Sequence, residues 1–209
     1  GSGSKVIASD ISQIILDVAK KRHKEVNLDF LHCDVELYPF EPDSFDAIVS
    51  RFGVMFFSNP LSAFKNMSKS MKKGGRLNLL VWKSFDENLW MKVAASAAFK
   101  VLQKPEPPSE GESGPFSLCD EKMFYDLLSK AGFEAISFSE NRMELNLGGI
   151  EDASHLMTQL GPASKPYIEA PHGQQKEALK LIRNALSEYE SGHGVCLPAA
   201  FWLVQANSC

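Results

Sequence analysis

One stretch, residues 45–60, constrains the fold of this chain more than any other. Its first six residues include an apolar run, Ala47-Ile48-Val49, that predicts a short buried strand. Ser58-Asn59-Pro60 then predicts a helix start, because a capping side chain precedes proline at the first helical position. Strand, loop and helix make half of a βαβ unit. Since ligands of open α/β sheets bind at the carboxyl ends of strands, residues 50–57 are predicted to border a ligand site.

The rest of the chain continues this alternation. Periodicity predicts strands at residues 5–9, 27–32, 45–50, 76–82, 133–141 and 195–206. It predicts helices after Ser12, from Pro60, at 88–102, from Asp120 to Gly132, at 150–160 and at 174–189. The helix from Pro60 is predicted to end at Lys72-Lys73-Gly74-Gly75, where cations are followed by glycine. Short links between the early elements favour a mainly parallel sheet with right-handed crossovers.

Composition excludes several classes of function. The chain has 209 residues, which suits one domain, and a net charge of −4 with no extended basic face, which argues against nucleic-acid binding. No apolar run approaches the roughly 20 residues that span a bilayer. The four cysteines have neither paired nor metal-like spacing, so reduced thiols in a cytoplasmic protein and no metal site are predicted.

Two acids follow predicted strands. Asp10 lies between a strand and a helix, where a carboxylate can accept both hydroxyls of a ribose or, alternatively, can cap the helix. Asp34 follows the next strand, where it can accept the amino group of an adenine with Val35 against the ring, or can be an ordinary turn carboxylate. The residues alone leave both alternatives open.

The loop after the third strand carries a cation and large apolar side chains. Arg51 suits a carboxylate of a ligand or substrate, or an ion pair with a nearby acid. Phe52, Met55 and Phe56 suit the wall of a pocket for a cationic ligand, since aromatic faces attract cations, or are simply core. Trp82, Trp90 and Phe116 suit a substrate pocket or a further packing layer.

These motifs together resemble a family. Ala8-Ser9-Asp10-Ile11-Ser12, Cys33-Asp34-Val35, residues 50–57 and Lys72-Lys73-Gly74-Gly75-Arg76-Leu77 resemble class I S-adenosylmethionine-dependent methyltransferases. Trp82, Asn88-Leu89-Trp90-Met91, Gly114-Pro115-Phe116, Ala131-Gly132-Phe133 and Leu197-Pro198-Ala199-Ala200 resemble its small-molecule branch, similar to the ubiquinone and menaquinone biosynthesis enzymes. The resemblance covers residues 6–206.

The resemblance implies a Rossmann-like α/β sheet, mainly parallel with an antiparallel last strand, helices on both faces and an inserted helical lid. It implies one domain over residues 1–209, with lid segments at 84–118 and 148–192. S-adenosylmethionine is the implied cofactor, and the implied acceptor is small and apolar or aromatic. The implied cofactor-binding residues are Asp10, Ile11, Asp34, Val35, Ser50, Arg51 and Phe52, and the implied substrate pocket comprises Met55, Phe56, Trp82, Trp90 and Phe116. No catalytic base is assigned.

One departure from the family lies before Lys5. The family begins with a strand, a glycine-rich loop and a helix, for which Gly1-Ser2-Gly3-Ser4 is too short. We therefore expect these 209 residues to bind the cofactor weakly, to show no turnover, and to pair an exposed sheet edge with another copy as a homodimer. The alternatives are a non-catalytic cofactor- or partner-binding protein on the same fold and a nicotinamide-dependent oxidoreductase. Residues 104–114 are predicted to form a poorly ordered lid loop.

Overall fold

The computed structural model describes residues 3–106 and 113–209. Within these ranges the chain forms seven strands: β1 Val6–Asp10, β2 Leu28–His32, β3 Phe45–Arg51, β4 Met71–Trp82, β5 Phe133–Asn146, β6 Glu190–Ser191 and β7 Gly194–Ser208. The described part also contains seven helices: α1 Gln13–Arg22, α2 Pro60–Ser70, α3 Leu89–Ala98, α4 Glu121–Lys130, α5 Ile150–Gln159, α6 Ser164–Glu169 and α7 His172–Ser187. Two 3-10 turns, Val54–Phe56 and Phe85–Glu87, follow β3 and β4.

The strands form two sheets. β1 and β2 pair in parallel, and the larger sheet has the order β3-β4-β7-β5, with β6 paired to β7. β3 and β4 are parallel, whereas β7 is antiparallel to both β4 and β5. All strands of the larger sheet except β7 therefore run in one direction. The predicted antiparallel last strand is confirmed, which disfavours the nicotinamide-dependent alternative, and this strand lies inside the sheet rather than at its border.

The strands β5 and β7 extend past the carboxyl end of β4. Trp82, the last residue of β4, pairs with Phe201, whereas β5 and β7 stay paired as far as Asn146 and Cys196. Helices α5, α6 and α7 connect these extended ends, and α7 packs against both α3 and α5. Helices α3, α5, α6 and α7 therefore form a layer above the carboxyl end of the sheet, whereas α4 packs against β5. Part of the predicted lid loop, residues 107–112, lies outside the described residues.

The main core lies on one face of the larger sheet. Helices α2 and α4 pack there through Phe64 and Phe124, which are fully buried and have ring centroids 5.6 Å apart. Their sheet partners are the buried side chains of Leu77, Leu79 and Val204. The apolar alternation of β4 and the helical spacing of α2 explain this packing, because each presents one apolar face to the other.

The structure differs from the sequence-based boundaries at the end of α2. The helix ends at Ser70, so the predicted ending at Lys72-Lys73-Gly74-Gly75 is wrong. Met71 instead pairs with Phe45 and begins β4, and Ser44 donates a backbone hydrogen bond to the Ser70 carbonyl at 2.8 Å. The irregular pairing that follows accommodates Gly74 at φ +71°, a conformation that glycine adopts without strain. Long-range strand pairing thus overrides local helix-ending residues.

Helix α1 is the least buried of the longer helices in the described ranges. Leu16 is its buried side chain, whereas Ile14 and Val18 are exposed. None of the helices in the described ranges is both long and apolar enough to cross a membrane.

Candidate functional site

Asp10 is the last residue of β1. Its Oδ1 accepts a hydrogen bond from the backbone N–H of Ser12 at 2.7 Å, and the Ser12 hydroxyl caps α1 by accepting from the Ile15 N–H. The helix cap is therefore Ser12, and Asp10 holds that cap in place. Within the described residues no protein group bonds to Asp10 Oδ2. The half-buried carboxylate keeps one oxygen for a ligand, and the next residue, Ile11, is 69% exposed.

Asp34 lies at the same edge, two residues beyond the end of β2. The backbone N–H of Cys33 donates to the Asp10 carbonyl at 3.1 Å, which places the two chain segments side by side. Asp34 Oδ1 accepts from the Glu36 N–H at 2.9 Å, and in the described ranges its second oxygen has no protein partner. Val35, like Asp34, is half-buried. Burial, and then the charge of Asp34, raises the pKa of the Cys33 thiol, which keeps it protonated.

The loop after β3 adopts an unusual backbone conformation. Phe52 has φ +60°, a region that non-glycine residues rarely occupy, and its N–H donates to the Leu80 carbonyl at 2.9 Å. Arg51 is exposed and forms no ion pair within the part of the chain that the structure describes, whereas Ser50 is half-buried. Strain of this kind clusters at binding sites, where surrounding contacts hold it in place.

Phe52 belongs to an aromatic cluster at the carboxyl ends of β3 and β4. Its ring stacks on Trp82 with centroids 3.8 Å apart and an interplanar angle of 7°. Trp90 lies 5.3 Å from Trp82, and the Phe201 ring meets both Phe52 and Trp82 edge-on at 6.0 and 6.3 Å. The sequence analysis missed Phe201. It lies on the same face as Trp82 because the two residues pair directly across β4 and β7.

The remaining pocket residues predicted from the sequence lie around the 3-10 turn Val54–Phe56. Met55 is 1% exposed, and its sulfur accepts from the Trp82 N–H at 3.4 Å, so it supports the cluster from the core. Phe56 is 57% exposed. Phe116 packs edge-on against Phe85 at 5.5 Å, and its neighbour Ser117 donates to the Met55 carbonyl at 2.7 Å. The structure thus joins Phe52, Trp82 and Trp90, with Phe116 anchored beside them.

Asn88 fixes this cluster to the scaffold. Its side chain is fully buried, and its amide nitrogen lies 3.0–3.1 Å from the carbonyls of Lys83, Ser84 and Ala200. Its oxygen accepts from the Ala200 N–H at 3.1 Å and from the indole N–H of Trp90 at 3.2 Å. This residue ties the link after β4 to β7 and orients Trp90. The sequence places Asn88 at a helix start, but its distant partners depend on the register of β7.

A charged network borders the same end of β4. The amine of Lys83, which is 8% exposed, lies 2.9 Å from Glu87 and 2.8 Å from Glu140, and it sits 4.5 Å above the Trp202 ring. Burial lowers the pKa of Lys83, but its hydrogen bonds to Glu140 and Glu87 outweigh this, so the pKa is raised. The hydrogen bond from Lys83 lowers the pKa of Glu87. Arg142 bonds to both glutamates.

Comparison with known proteins shows similarity to methyltransferases. The family model described as "Methyltransferase domain" matches residues 1–79. A demethylmenaquinone methyltransferase of Lactococcus lactis is 29% identical over 171 residues, which cover 76% of this chain and 65% of that protein. The ubiquinone/menaquinone biosynthesis C-methyltransferase UbiE of Rhizobium rhizogenes is 28% identical over 129 residues, covering 58% of this chain and 50% of the relative.

Solved structures show the same fold at lower identity. A protein of Bacillus halodurans, provisionally described as a methyltransferase, aligns with 98% of this chain and 83% of its own length at a TM-score of 0.61 and 18% identity. This chain spans between 44% and 65% of the length of the curated relatives it matches. The chain is therefore similar to methyltransferases in sequence over its first 79 residues, and it shares its fold with solved proteins of that description.

Proposed function

We propose that the protein transfers a methyl group from S-adenosylmethionine to a small acceptor that is apolar or aromatic. The observation that carries the proposal is the placement of two strand-end carboxylates beside an aromatic cluster. Glu36, two residues after Asp34, bonds to Ser58 and Asn59 beyond the β3 loop. The edge bearing Asp10 and Asp34 therefore adjoins the edge bearing Phe52 and Trp82.

The carboxylates of Asp10 and Asp34 suit the nucleoside half of S-adenosylmethionine. Asp10 and Asp34 each use one oxygen to hold their own turn, and each keeps a second oxygen for a ligand. A ribose presents hydroxyl donors and an adenine presents an amino donor, so both carboxylates meet groups they can accept from. We assign Asp10 to the ribose and Asp34 with Val35 to the adenine, with Ile11 and Ser50 alongside. A solved Haemonchus contortus phosphoethanolamine N-methyltransferase 2, with TM-score 0.55 and 16% identity, holds S-adenosylhomocysteine.

The chain's contribution to the reaction is positioning. S-adenosylmethionine supplies a methyl carbon already activated by a positively charged sulfur. Arg51 provides a cation for a carboxylate, and the half-buried ring of Phe52, supported by the buried Trp82 ring stacked on it, provides an aromatic surface that attracts a cation or a planar acceptor. Holding donor and acceptor in line accounts for much of the rate expected of such a site.

The acceptor class rests on the aromatic cluster and on the relatives. Those relatives are named for demethylmenaquinone and for a C-methyltransferase step of ubiquinone and menaquinone biosynthesis. Phe52 is half-buried above the buried Trp82 and Trp90, which makes this end of the sheet apolar and favours an apolar or aromatic acceptor over a charged one. A cytoplasmic location, predicted from the cysteine pattern, belongs to the same proposal.

An acceptor panel tests this function. Because the 209 residues alone are expected to show no turnover, the full-length protein is incubated with S-adenosylmethionine and quinols, phenols, thiols or amines, and S-adenosylhomocysteine is measured. We expect the fastest formation with a quinol or phenol. Cofactor binding without product on any acceptor would favour the rival, a non-catalytic cofactor-binding protein on this fold.

A further inference from the structure

Glu36 joins two parts of the molecule that share no strand pairing. Its two carboxylate oxygens accept from the backbone N–H groups of Ser58 at 2.5 Å and Asn59 at 3.0 Å. These donors lie at the start of α2, where unpaired N–H groups and the helix dipole favour a negative charge. Asn59 is itself the helix cap and accepts from the Ser62 N–H. The Glu36 carboxylate therefore satisfies donors that α2 cannot satisfy internally.

A second side chain holds the same loop from the middle of α2. The amide nitrogen of Asn66 lies 2.7 Å from the Val35 carbonyl and 2.8 Å from the Tyr38 carbonyl. The loop that follows β2 is thus bound to α2 on both sides of Glu36. Val35 lies within this bound segment and Asp34 immediately precedes it, and the Asp34 carboxylate accepts from the Glu36 N–H.

These ties are important because the small β1–β2 sheet is separate from the larger sheet in the described part of the chain. No ladder of backbone hydrogen bonds therefore fixes Asp34 relative to the β3 loop. The side chains of Glu36 and Asn66 provide that connection. A change of about 1 Å in the position of a binding group is enough to weaken a directional contact.

We propose that Glu36 is a positioning residue for base selectivity: by clamping its loop to the start of α2, it holds Asp34 and Val35 where an adenine is distinguished from its 6-oxo counterpart. This inference rests on the proposed function, because it assumes that Asp34 faces the base. A carboxylate fixed in place accepts from a 6-amino group and opposes a 6-oxo group, whereas a carboxylate on a loose loop can move away from the wrong base.

The test compares two ligands on three proteins. Affinities for S-adenosylhomocysteine and for its inosine counterpart are measured by calorimetry on the unsubstituted protein, on Glu36→Gln and on Glu41→Gln. Glu41 is an exposed acid of the same link and serves as the matched control. We expect Glu36→Gln to lose about tenfold in affinity for the adenosine ligand and to lose most of its preference for it, because a glutamine can accept at one donor only. Glu41→Gln should keep both values.

A second measurement does not depend on the ligand. Hydrogen exchange of the backbone amides in residues 33–38 should accelerate in Glu36→Gln and in Asn66→Ala, and not in Glu41→Gln. A lower melting temperature in Glu36→Gln with an unchanged base preference would overturn the inference and leave Glu36 as a helix cap only. Unchanged exchange in residues 33–38 would overturn it as well. If the unsubstituted protein bound neither ligand, the proposed function itself would fail, which is a separate result.

Discussion

At the scale of single residues, the geometry around Asp10 favours ligand binding over helix capping. Ser12 caps α1, so the free oxygen of Asp10 is not needed for the helix. We predict that Asp10→Asn keeps the fold, because asparagine still accepts from Ser12, and lowers affinity for S-adenosylmethionine by about tenfold or more through loss of charge-assisted bonds. Calorimetric titration measures this, with Asp17→Asn on the exposed side of α1 as the control. Equal affinity in both variants would contradict the assignment.

Phe52 packs between Trp82 and Phe201 in the aromatic cluster. Its ring contributes the face that stacks on Trp82, although its backbone φ is unfavourable. We predict that Phe52→Leu raises the KM for an aromatic acceptor by about tenfold, the value of one lost aromatic contact, with little change in cofactor affinity. Steady-state kinetics at saturating cofactor check this. Phe40→Leu is the matched control, since Phe40 packs between Tyr38 and Phe45 away from the site. A rise in KM in both variants would argue against a local role.

At the scale of elements, Asn88 links three of them. Its amide connects the end of β4, the start of α3 and β7 through five hydrogen bonds. We predict that Asn88→Ala lowers the free energy of unfolding by about 3 kcal/mol, because buried donors and acceptors lose their partners. Urea titration measures this. Asn141→Ala, which removes one exposed bond to Ser139, should cost much less. Similar losses in the two variants would show that burial of the network is unimportant.

The Lys83 network predicts a dependence of stability on pH. Lys83 lowers the pKa values of Glu87 and Glu140 in the folded protein, so their contribution is present above the ordinary carboxyl pKa and is lost as the pH falls through the lowered values. We predict that Lys83→Met reduces the melting temperature near neutral pH. The melting temperature of this variant should also decrease less steeply than that of the unsubstituted protein as the pH is lowered toward about 3. Thermal unfolding over this range tests it. Lys92→Met, which removes an exposed pair with Asp86, should leave the pH profile unchanged.

Elements whose signals are local were predictable from the sequence, and elements that depend on distant pairing were not. A run of apolar residues followed by an acid identified β1 with Asp10, and Asn59-Pro60 identified the start of α2. The end of α2 was mispredicted because Met71 pairs with Phe45, and no local pattern encodes that pairing. Phe201 and the partners of Asn88 were missed because both require the register of β7 against β4. Sequence reasoning thus placed the strand-end acids more completely than the contacts of the aromatic cluster.

At the scale of the whole molecule, the sheet has an exposed border. β3 forms one end of the larger sheet in the described residues, and its Val49 side chain is 76% exposed. Val49 of β3, Leu80 of β4 and Leu203 of β7 line a shallow apolar hollow of about 300 Å³ on the face of the sheet next to this border. Open strand edges and apolar faces promote association between chains. We therefore predict that the protein self-associates through this border.

Sedimentation at several concentrations tests this prediction. Val49→Lys should shift the distribution toward the monomer, because a cation on the border would have to be buried on association. Val26→Lys is the control, since Val26 is fully exposed in the turn before β2. A protein that stays monomeric at every concentration, or one that both substitutions affect equally, would contradict association through β3.

The position of β7 inside the sheet also has a consequence for biosynthesis. Asn78 on β4 and Gln205 on β7 are bonded neighbours, yet 127 residues separate them along the chain. At ribosomal rates of about 5–20 residues per second, β4 leaves the ribosome roughly 6–25 s before its partner exists. Throughout that interval the edge that β7 will occupy is open, and the side chains of Leu77, Leu79 and Val81 lack their final cover. The nascent chain is therefore most prone to aggregation during this interval. Expression at a lower temperature, or binding of a chaperone to the emerging β4, should raise the yield of folded protein.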